Sequence, residues 1–401
     1  MIVQSRAPAK RETAFLALLC VLFLSMLVEV KAANAPASTN APAGGYRSSR
    51  FGRDRAFITD PPHLDWSHLP DATDAERLMT AYNRAFYVRT NGTGYFRGST
   101  TSDKAADFWK LAEEIEMVID VCEHARNAFY SNQIVELING FDAHCGAGWT
   151  NNVFNDDVIW ICIANLRGYQ LTGNTQWRDH ARAQFDAVYR RAWDTNCLGG
   201  GLFWKTENLS KNTCVNAPAA IAACLLWKSY GETEYRDKAN AIIDWVKTVL
   251  SDGHGWIYDS IRTNGTLNRT SFTYNQGTFI GACNFLGRTR EAAQAADFVM
   301  QNQGNSVNGF CILPARRARG DIAGFNGIFF RWMARYMQDQ HLESTYLPWL
   351  QANALSAWSV RRSSDNLSWS NWMQNTPADA TLDSWACSPS VVALHALLPS
   401  Q

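Results

Sequence analysis

The sequence predicts an all-α protein in which helical hairpins stand side by side and close into a ring. Three observations lead there. First, from residue 73 onward the apolar residues recur at helical spacing. Leu78, Tyr82, Ala85 and Phe86 share one face, and so do Phe108, Leu111, Ile115, Val118, Ile119 and Cys122. Second, long alternating strand patterns are missing. Third, the chain repeats itself. LTGNTQWRDHARAQFDAVY from Leu171, SYGETEYRDKANAIIDWV from Ser229 and FLGRTREAAQAADFVMQ from Phe285 share one design, in which a helix stops at a glycine and the next begins two or three residues later. The glycines, Gly173, Gly231 and Gly287, lie 58 and 56 residues apart, one helix–turn–helix unit per period. A weaker fourth copy starts at Met337.

The first residues read as an address. Arg6, Lys10 and Arg11 precede an apolar run of 15 residues, Ala14 to Val28, too short for a bilayer span but suited to a secretory signal. Val30-Lys31-Ala32 offers a cleavage site, so residues 1–32 are expected to be a signal peptide and 33–60 a flexible Pro/Ala/Gly-rich lead-in. Residues 61–401 then form one catalytic domain, with room for about six hairpins at the observed period. Signal removal leaves 33 basic against 35 acidic residues, which gives no electrostatic case for a nucleic-acid partner. Secretion agrees with five N-x-Ser/Thr sites, at Asn91, Asn208, Asn264, Asn268 and Asn366, and with ten cysteines, nine of them in the mature chain. An odd number leaves at least one thiol free or paired between chains. Cys162, Cys224 and Cys283 lie in apolar helical runs and are expected in the core, while Cys197 and Cys214, bracketing a glycine-rich turn, are the expected disulfide. The C-terminal SVVALHALLPSQ is broken by His395 and Pro399, so no lipid anchor is expected and the product should be freely secreted, without a membrane partner.

The irregular inserts between hairpins, 140–154, 194–214, 252–273 and 303–321, should share one rim, and the chemistry gathers there. Asn155-Asp156-Asp157 opens an apolar helix and holds the chain's one Asp-Asp pair. Such residues cap helix starts. One carboxylate suffices for that, however, and two neighbours repel, so the pair also reads as chemistry. Carboxylates about 5–5.5 Å apart suit a retaining glycosidase. Gly199-Gly200-Gly201 is followed by Trp204, Lys211, Asn212 and Asn216. This is either a turn with a buried tryptophan or a wall that contacts a sugar face and its hydroxyls. Tyr274-Asn275-Gln276-Gly277 opens another apolar helix. Asp321, Asn326 and Arg331 cluster near a further start, where Arg331 suits a structural ion pair better than a ligand. The 16 tryptophans fit either core packing or sugar stacking. No metal-protease, nucleophile-elbow, phosphate-loop or dinucleotide signature is present, and the eight histidines show no paired ligand spacing. Neither metal nor cofactor is expected.

Taken in order, NDDVIW, GGGLFWK, KNTCVNAPAAIAA, YNQGTFIGA and GFNGIFFRWM resemble the family 76 glycoside hydrolases, the endo-α-1,6-mannanases, over most of residues 75–398. The resemblance implies an (α/α)6 barrel and cleavage of α-1,6-linked mannan with retention, using two consecutive aspartates. Asp156 would be the nucleophile and Asp157 the general acid/base. Trp204, Asn216, Tyr274, Asn275, Gln276 and Asp321 would be substrate-binding. One departure stands out: Phe325-Asn326-Gly327 replaces the usual Phe-Lys-Gly and removes a charge there. The expected function is a secreted, monomeric mannanase acting on mannan polysaccharide or oligosaccharide. The alternatives are a transglycosylase that moves mannan chains and a catalytically inactive mannan-binding protein.

Overall fold

The structure is a computed structural model, and it describes residues 64–125, 127–314 and 319–399. The expected signal peptide and lead-in, residues 1–60, lie outside the described residues. Among those described, twelve α-helices alternate between an inner and an outer ring. The inner helices are α2 (Phe108–Ala125), α4 (Asn155–Thr172), α6 (Thr213–Tyr230), α8 (Thr273–Leu286), α10 (Phe325–Asp339) and α12 (Ser384–His395). Each packs on the next, and α12 packs back on α2, so the ring is closed. The outer helices α3 (Ala128–Cys145), α5 (Thr175–Ala192), α7 (Thr233–Val249), α9 (Thr289–Asn302) and α11 (Glu343–Ser359) each follow and pack against the inner helix before them. The sixth outer helix is the first in the chain: α1 (Ala72–Phe86) packs against α12 and completes its hairpin. This is an (α/α)6 barrel.

The two rings differ in the way their burial demands. Outer helices carry one apolar stripe, as in α5, where Trp177, Ala181, Phe185, Val188 and Ala192 are the buried residues. Inner helices are buried nearly all round: in α4 every residue from Asn155 to Gly168 except Asp157 is buried. Three inner helices stop at a glycine in the left-handed conformation, with φ of 75° at Gly173, 74° at Gly231 and 73° at Gly287, where a Cβ would be strained. The weaker fourth repeat lacks that glycine, and His341 takes a positive φ of 54° instead. Because these turns are tight, the longer inserts all fall at the other end, before inner-helix N-termini. At Gly277 a Cβ would stand 2.5 Å from the Phe329 Cα, so only glycine lets α8 and α10 approach this closely.

Ion pairs tie the interior together. On α2, Glu113, Glu116 and Asp120 are buried, and they meet two buried guanidinium groups from the inner helices α4 and α10. Arg167 of α4 reaches Glu116 at 2.9 Å and Asp120 at 2.7 Å. Arg331 of α10 reaches Glu113 and Asp120, each at 2.7 Å. Arg331 is thus the structural ion-pair partner the sequence suggested.

Short strands decorate the inserts. β1 (Tyr87–Thr90), β2 (Thr93–Ser99) and β3 (Ser102–Ala105) form an antiparallel sheet ahead of α2. The sequence pattern did not point to it, yet the Asn91-Gly92 turn, with φ of 47° and 80°, is the usual signal of a two-residue hairpin. β4 (Ser210–Asn212), β5 (Ser260–Arg262) and β6 (Leu267–Asn268) join the second and third inserts, and β7 (Asn305–Val307) pairs with β8 (Phe310–Ile312). Among the described residues no helix is long and apolar enough to cross a membrane.

The expected Cys197–Cys214 disulfide is not formed, and the described cysteines are free thiols. Cys197 points its sulfur toward the Thr263 carbonyl at 3.9 Å, whereas Cys214 opens α6 facing Asp156, so the two thiols serve different neighbours. Cys162, Cys224 and Cys283 are buried in the core as expected.

Candidate active site

The rim that holds the inner-helix N-termini brings several acids together. Asp156 and Asp157 occupy the second and third positions of α4, after the Phe154 cap. Asp156 is 9 % exposed, and its Oδ1 has no hydrogen-bond partner in the protein. Asp157 is half-buried and accepts a hydrogen bond from Asn152 Nδ2 at 2.8 Å on its Oδ2. Two opposing forces act on this pair: the free amides of a helix start favour carboxylate charge, and burial opposes it. Burial wins. It pushes Asp156 up to about 6, against the Cys214 thiol, the Trp204 indole and the backbone N–H groups, which favour the charged form. Asp157 rises to about 7, first through burial and then through repulsion from Asp156, with Asp107 and Asp321 adding to it. Protons therefore leave the pair in two steps near neutrality.

Trp204 forms the adjoining wall. Its backbone carbonyl accepts from Asn155 N at 2.8 Å, which pins the glycine-rich turn to the start of α4. The ring meets Phe154 edge-on at 5.5 Å, and Lys205 Nζ lies 4.6 Å from its centroid. Its Nε1, buried and without a partner, lies close enough to Asp156 to favour that group's charge.

Lys110 joins two exposed acids that act on Asp157, Asp107 at 2.7 Å and Asp321 at 3.1 Å. The Asp321 carbonyl accepts from Trp385 Nε1 at 2.8 Å, so this corner of the rim is tied to α12. A further acid, Asp259, was missed in the sequence because a lone aspartate in a long loop carries no pattern. It accepts from Ser260 Oγ and Asn268 Nδ2, each at 3.0 Å, and from the Tyr274 hydroxyl at 3.4 Å. Burial raises its pKa. The Tyr274 ring packs 4.4 Å from Phe325, and the negative charge of Asp156 also acts on its hydroxyl.

Of the residues singled out in the sequence, Asp156, Asp157, Trp204, Tyr274 and Asp321 meet around this rim. The amides do not line it. Asn216 is fully buried, accepting from Leu202 N at 2.8 Å and donating to the carbonyls of Leu202 and Asn212 at 3.0 and 2.8 Å. Gln276 is fully buried against the Ser271 hydroxyl. Asn275 is buried too; its Oδ1 accepts from Phe272 N at 2.7 Å and caps α8, while its Nδ2 is unpartnered. All three hold loops in place. Lys211, which the sequence left open between a buried turn and a sugar-contacting wall, donates to the carbonyls of Asp194, Cys197 and Gly200 at 2.6–2.8 Å and organises the glycine-rich turn from inside. Asn326, at the departure from the family pattern, accepts from Thr273 Oγ1 at 2.8 Å and joins α8 to α10. A neutral brace stands there in place of a charge.

Two adjacent, burial-raised carboxyls suit acid-catalysed cleavage of a glycosidic bond, where one group must be charged while its neighbour holds a proton. Comparison with known proteins agrees with this chemistry. The solved structure of the GH76A α-1,6-mannanase from Salegentibacter sp. HEL1_6 superposes with a TM-score of 0.73 at 27 % identity, covering 81 % of this chain and 98 % of that one. An inactive variant of the same enzyme, with two consecutive aspartates changed to asparagine, was solved with α-1,6-mannotriose; it is 26 % identical, with the same TM-score of 0.73, covering 81 % of this chain and 98 % of its own. A mannan endo-1,6-alpha-mannosidase of Candida glabrata, DCW1, is 30 % identical over 149 residues, 33 % of this chain. The match spans about a third of that curated relative's length, 33 %. Finally, the family described as Glycosyl hydrolase family 76 matches residues 71–397, and the chain belongs to that family.

Proposed function

We propose that this protein is a secreted endo-α-1,6-mannanase that cleaves with retention, Asp156 being the nucleophile and Asp157 the general acid/base. The observation that carries the reading is the consecutive pair at the start of α4, raised to about 6 and about 7. At a pH between those values a useful fraction has Asp156 charged and Asp157 protonated. The charged Asp156 attacks the anomeric carbon as the bond to the departing O6 breaks, and Asp157 gives O6 its proton. Water then displaces Asp156 while Asp157 takes the water's proton, and two inversions restore the α configuration. The substrate class rests on the Salegentibacter and Candida glabrata relatives. Secretion rests on the N-terminal apolar run and on the sequons, whose Asn91, Asn208, Asn264 and Asn268 are exposed; Asn366 is half-buried.

The test is incubation with linear α-1,6-mannan, followed by proton NMR of the earliest product. Shortened chains ending in α-mannose are expected. β-Mannose ahead of mutarotation would refute the double displacement. Chains rearranged without shortening would indicate transglycosylation, and unchanged mannan a binding protein.

Trp204→Phe separates the two uses of that ring. It keeps an aromatic face but removes the Nε1 hydrogen that favours a charged Asp156. Asp156 would then hold its proton to higher pH. The acid limb of the kcat/KM profile should move up by roughly 0.7 of a unit, for an N–H dipole beside the charge worth about 1 kcal/mol, with KM little changed. A KM rise with an unmoved acid limb would assign the residue to sugar stacking alone.

A further inference from the structure

Arg191, near the end of the outer helix α5, is a guanidinium with no carboxylate partner among the ion pairs of the described residues. Its donors go to neutral oxygens in one short loop. Nε donates to Asn155 Oδ1 at 2.6 Å, and the two terminal nitrogens donate to the carbonyls of Thr150 at 2.5 Å and Asn152 at 2.8 Å. That loop delivers Asp156 and Asp157 to the rim. Asn152, held at its carbonyl, has its side chain fixed at both ends: Oδ1 accepts from Phe154 N at 2.9 Å, and Nδ2 donates to Asp157 Oδ2 at 2.8 Å.

We propose that Asn152, clamped by Arg191, is the positioning residue of the acid/base, occupying Asp157 Oδ2 so that the proton is carried and exchanged at Oδ1. This rests on the reading of Asp157 given above. A primary amide can only donate through Nδ2, and a carbonyl oxygen accepts such a bond better than a hydroxyl oxygen does, so the acidic hydrogen favours the other oxygen. The acid proton is therefore biased toward one oxygen and one direction. The same bond favours the charged form of Asp157, which the second step requires. It works against the negative groups that face Asp157: Asp156 on α4, Asp107 ahead of α2 and Asp321 ahead of α10. Lys110 on α2 pairs with the last two, and the thiols of Cys145 on α3 and Cys214 on α6 also face the pair. Arg191 acts at one remove. Burial disfavours its own charge, and it offsets that only through the three loop oxygens it holds.

The experiment compares pH profiles of kcat/KM on α-1,6-mannan for the wild type, Asn152→Ala, Arg191→Ala and Asp157→Ala, with circular dichroism and Tm on each. Without the Asn152 donor, Asp157 keeps its proton to higher pH. The alkaline limb of Asn152→Ala should move up by roughly half to one unit, the worth of one hydrogen bond to a charged group, while KM changes little. Arg191→Ala should move the limb in the same direction by less, and millimolar guanidinium should return part of the shift. Should Arg191→Ala fail to fold, Asn152→Ala decides alone. An inactive Asp157→Ala together with an unmoved alkaline limb in Asn152→Ala overturns the positioning role and leaves the acid/base reading standing. An active Asp157→Ala overturns both.

Discussion

Asp156→Ala should reduce hydrolysis of α-1,6-mannan by a factor on the order of 10⁴ or more, since under the proposed double displacement the covalent route disappears with its nucleophile. Asp157→Ala should cost about 10²–10⁴ on the natural polymer, the range for losing a general acid. Azide tells the two apart. With an activated aryl glycoside of α-1,6-mannobiose, azide should restore part of the Asp156→Ala activity and give the β-azide, the product of one inversion. On Asp157→Ala it should enter in the second step and give the α-azide. A single anomer from both variants would reverse or refute the assignment.

Stability should move the other way. Both carboxyls are raised above their ordinary value of 3.8, so the folded chain holds their protons longer than the unfolded chain does. Stability from this source is present at low pH and is lost as pH rises from about 4 through about 7. Above that range the wild type keeps two neighbouring charges at a buried helix start. Asp156→Asn and Asp157→Asn remove one each and should raise Tm at pH 8 while activity falls. A drop in Tm at that pH would mean that the pair supports the fold, as a capping role requires.

The glycines of the repeat told the fold because they act locally. A helix that stops at Gly173, Gly231 or Gly287 needs a left-handed residue at that one position, and the spacing follows from helix length. The ring's closure is a non-local fact. α1 and α12 lie at opposite ends of the described chain, and nothing in either sequence names the other as its partner. The site divides in the same way. Asp156-Asp157 is legible because two adjacent carboxylates exceed what a cap needs. Asn216 and Gln276 were read toward the ligand, and Lys211 was left open, because an amide or an ammonium looks alike in sequence whether it meets a hydroxyl or a loop carbonyl. The long inserts carry many backbone groups that must find partners once buried, and these side chains supply them. Asn152 and Arg191 stayed unseen for the converse reason: their worth lies in three-dimensional reach across a loop, with no spacing rule behind it.

Arg331→Met should be among the most damaging substitutions away from the rim. Arg331 is 5 % exposed and is held by Glu113, Asp120 and, at 3.5 Å, Glu116, all buried. Methionine fills much of the volume, so the loss is mainly electrostatic. Arg167 alone then faces the remaining acids, and Glu113 has no cation within reach. Breaking a buried pair by removing one partner typically costs about 3–5 kcal/mol, a large share of a domain's net stability. The pH dependence gives the cause away. Burial already raises Glu113 to about 8 despite Arg331, and removing that charge raises it further. The variant's acids then bind protons in the folded state at pH values where the unfolded chain has released them. Its deficit should be nearly level from pH 5 to pH 7 and should widen between pH 8 and pH 9, as measured by urea unfolding across that range. Adding Glu113→Gln should recover more of the loss at pH 9 than at pH 5. A deficit that is flat with pH would trace the damage to packing alone and would remove the charge network as what fastens α2 to α10.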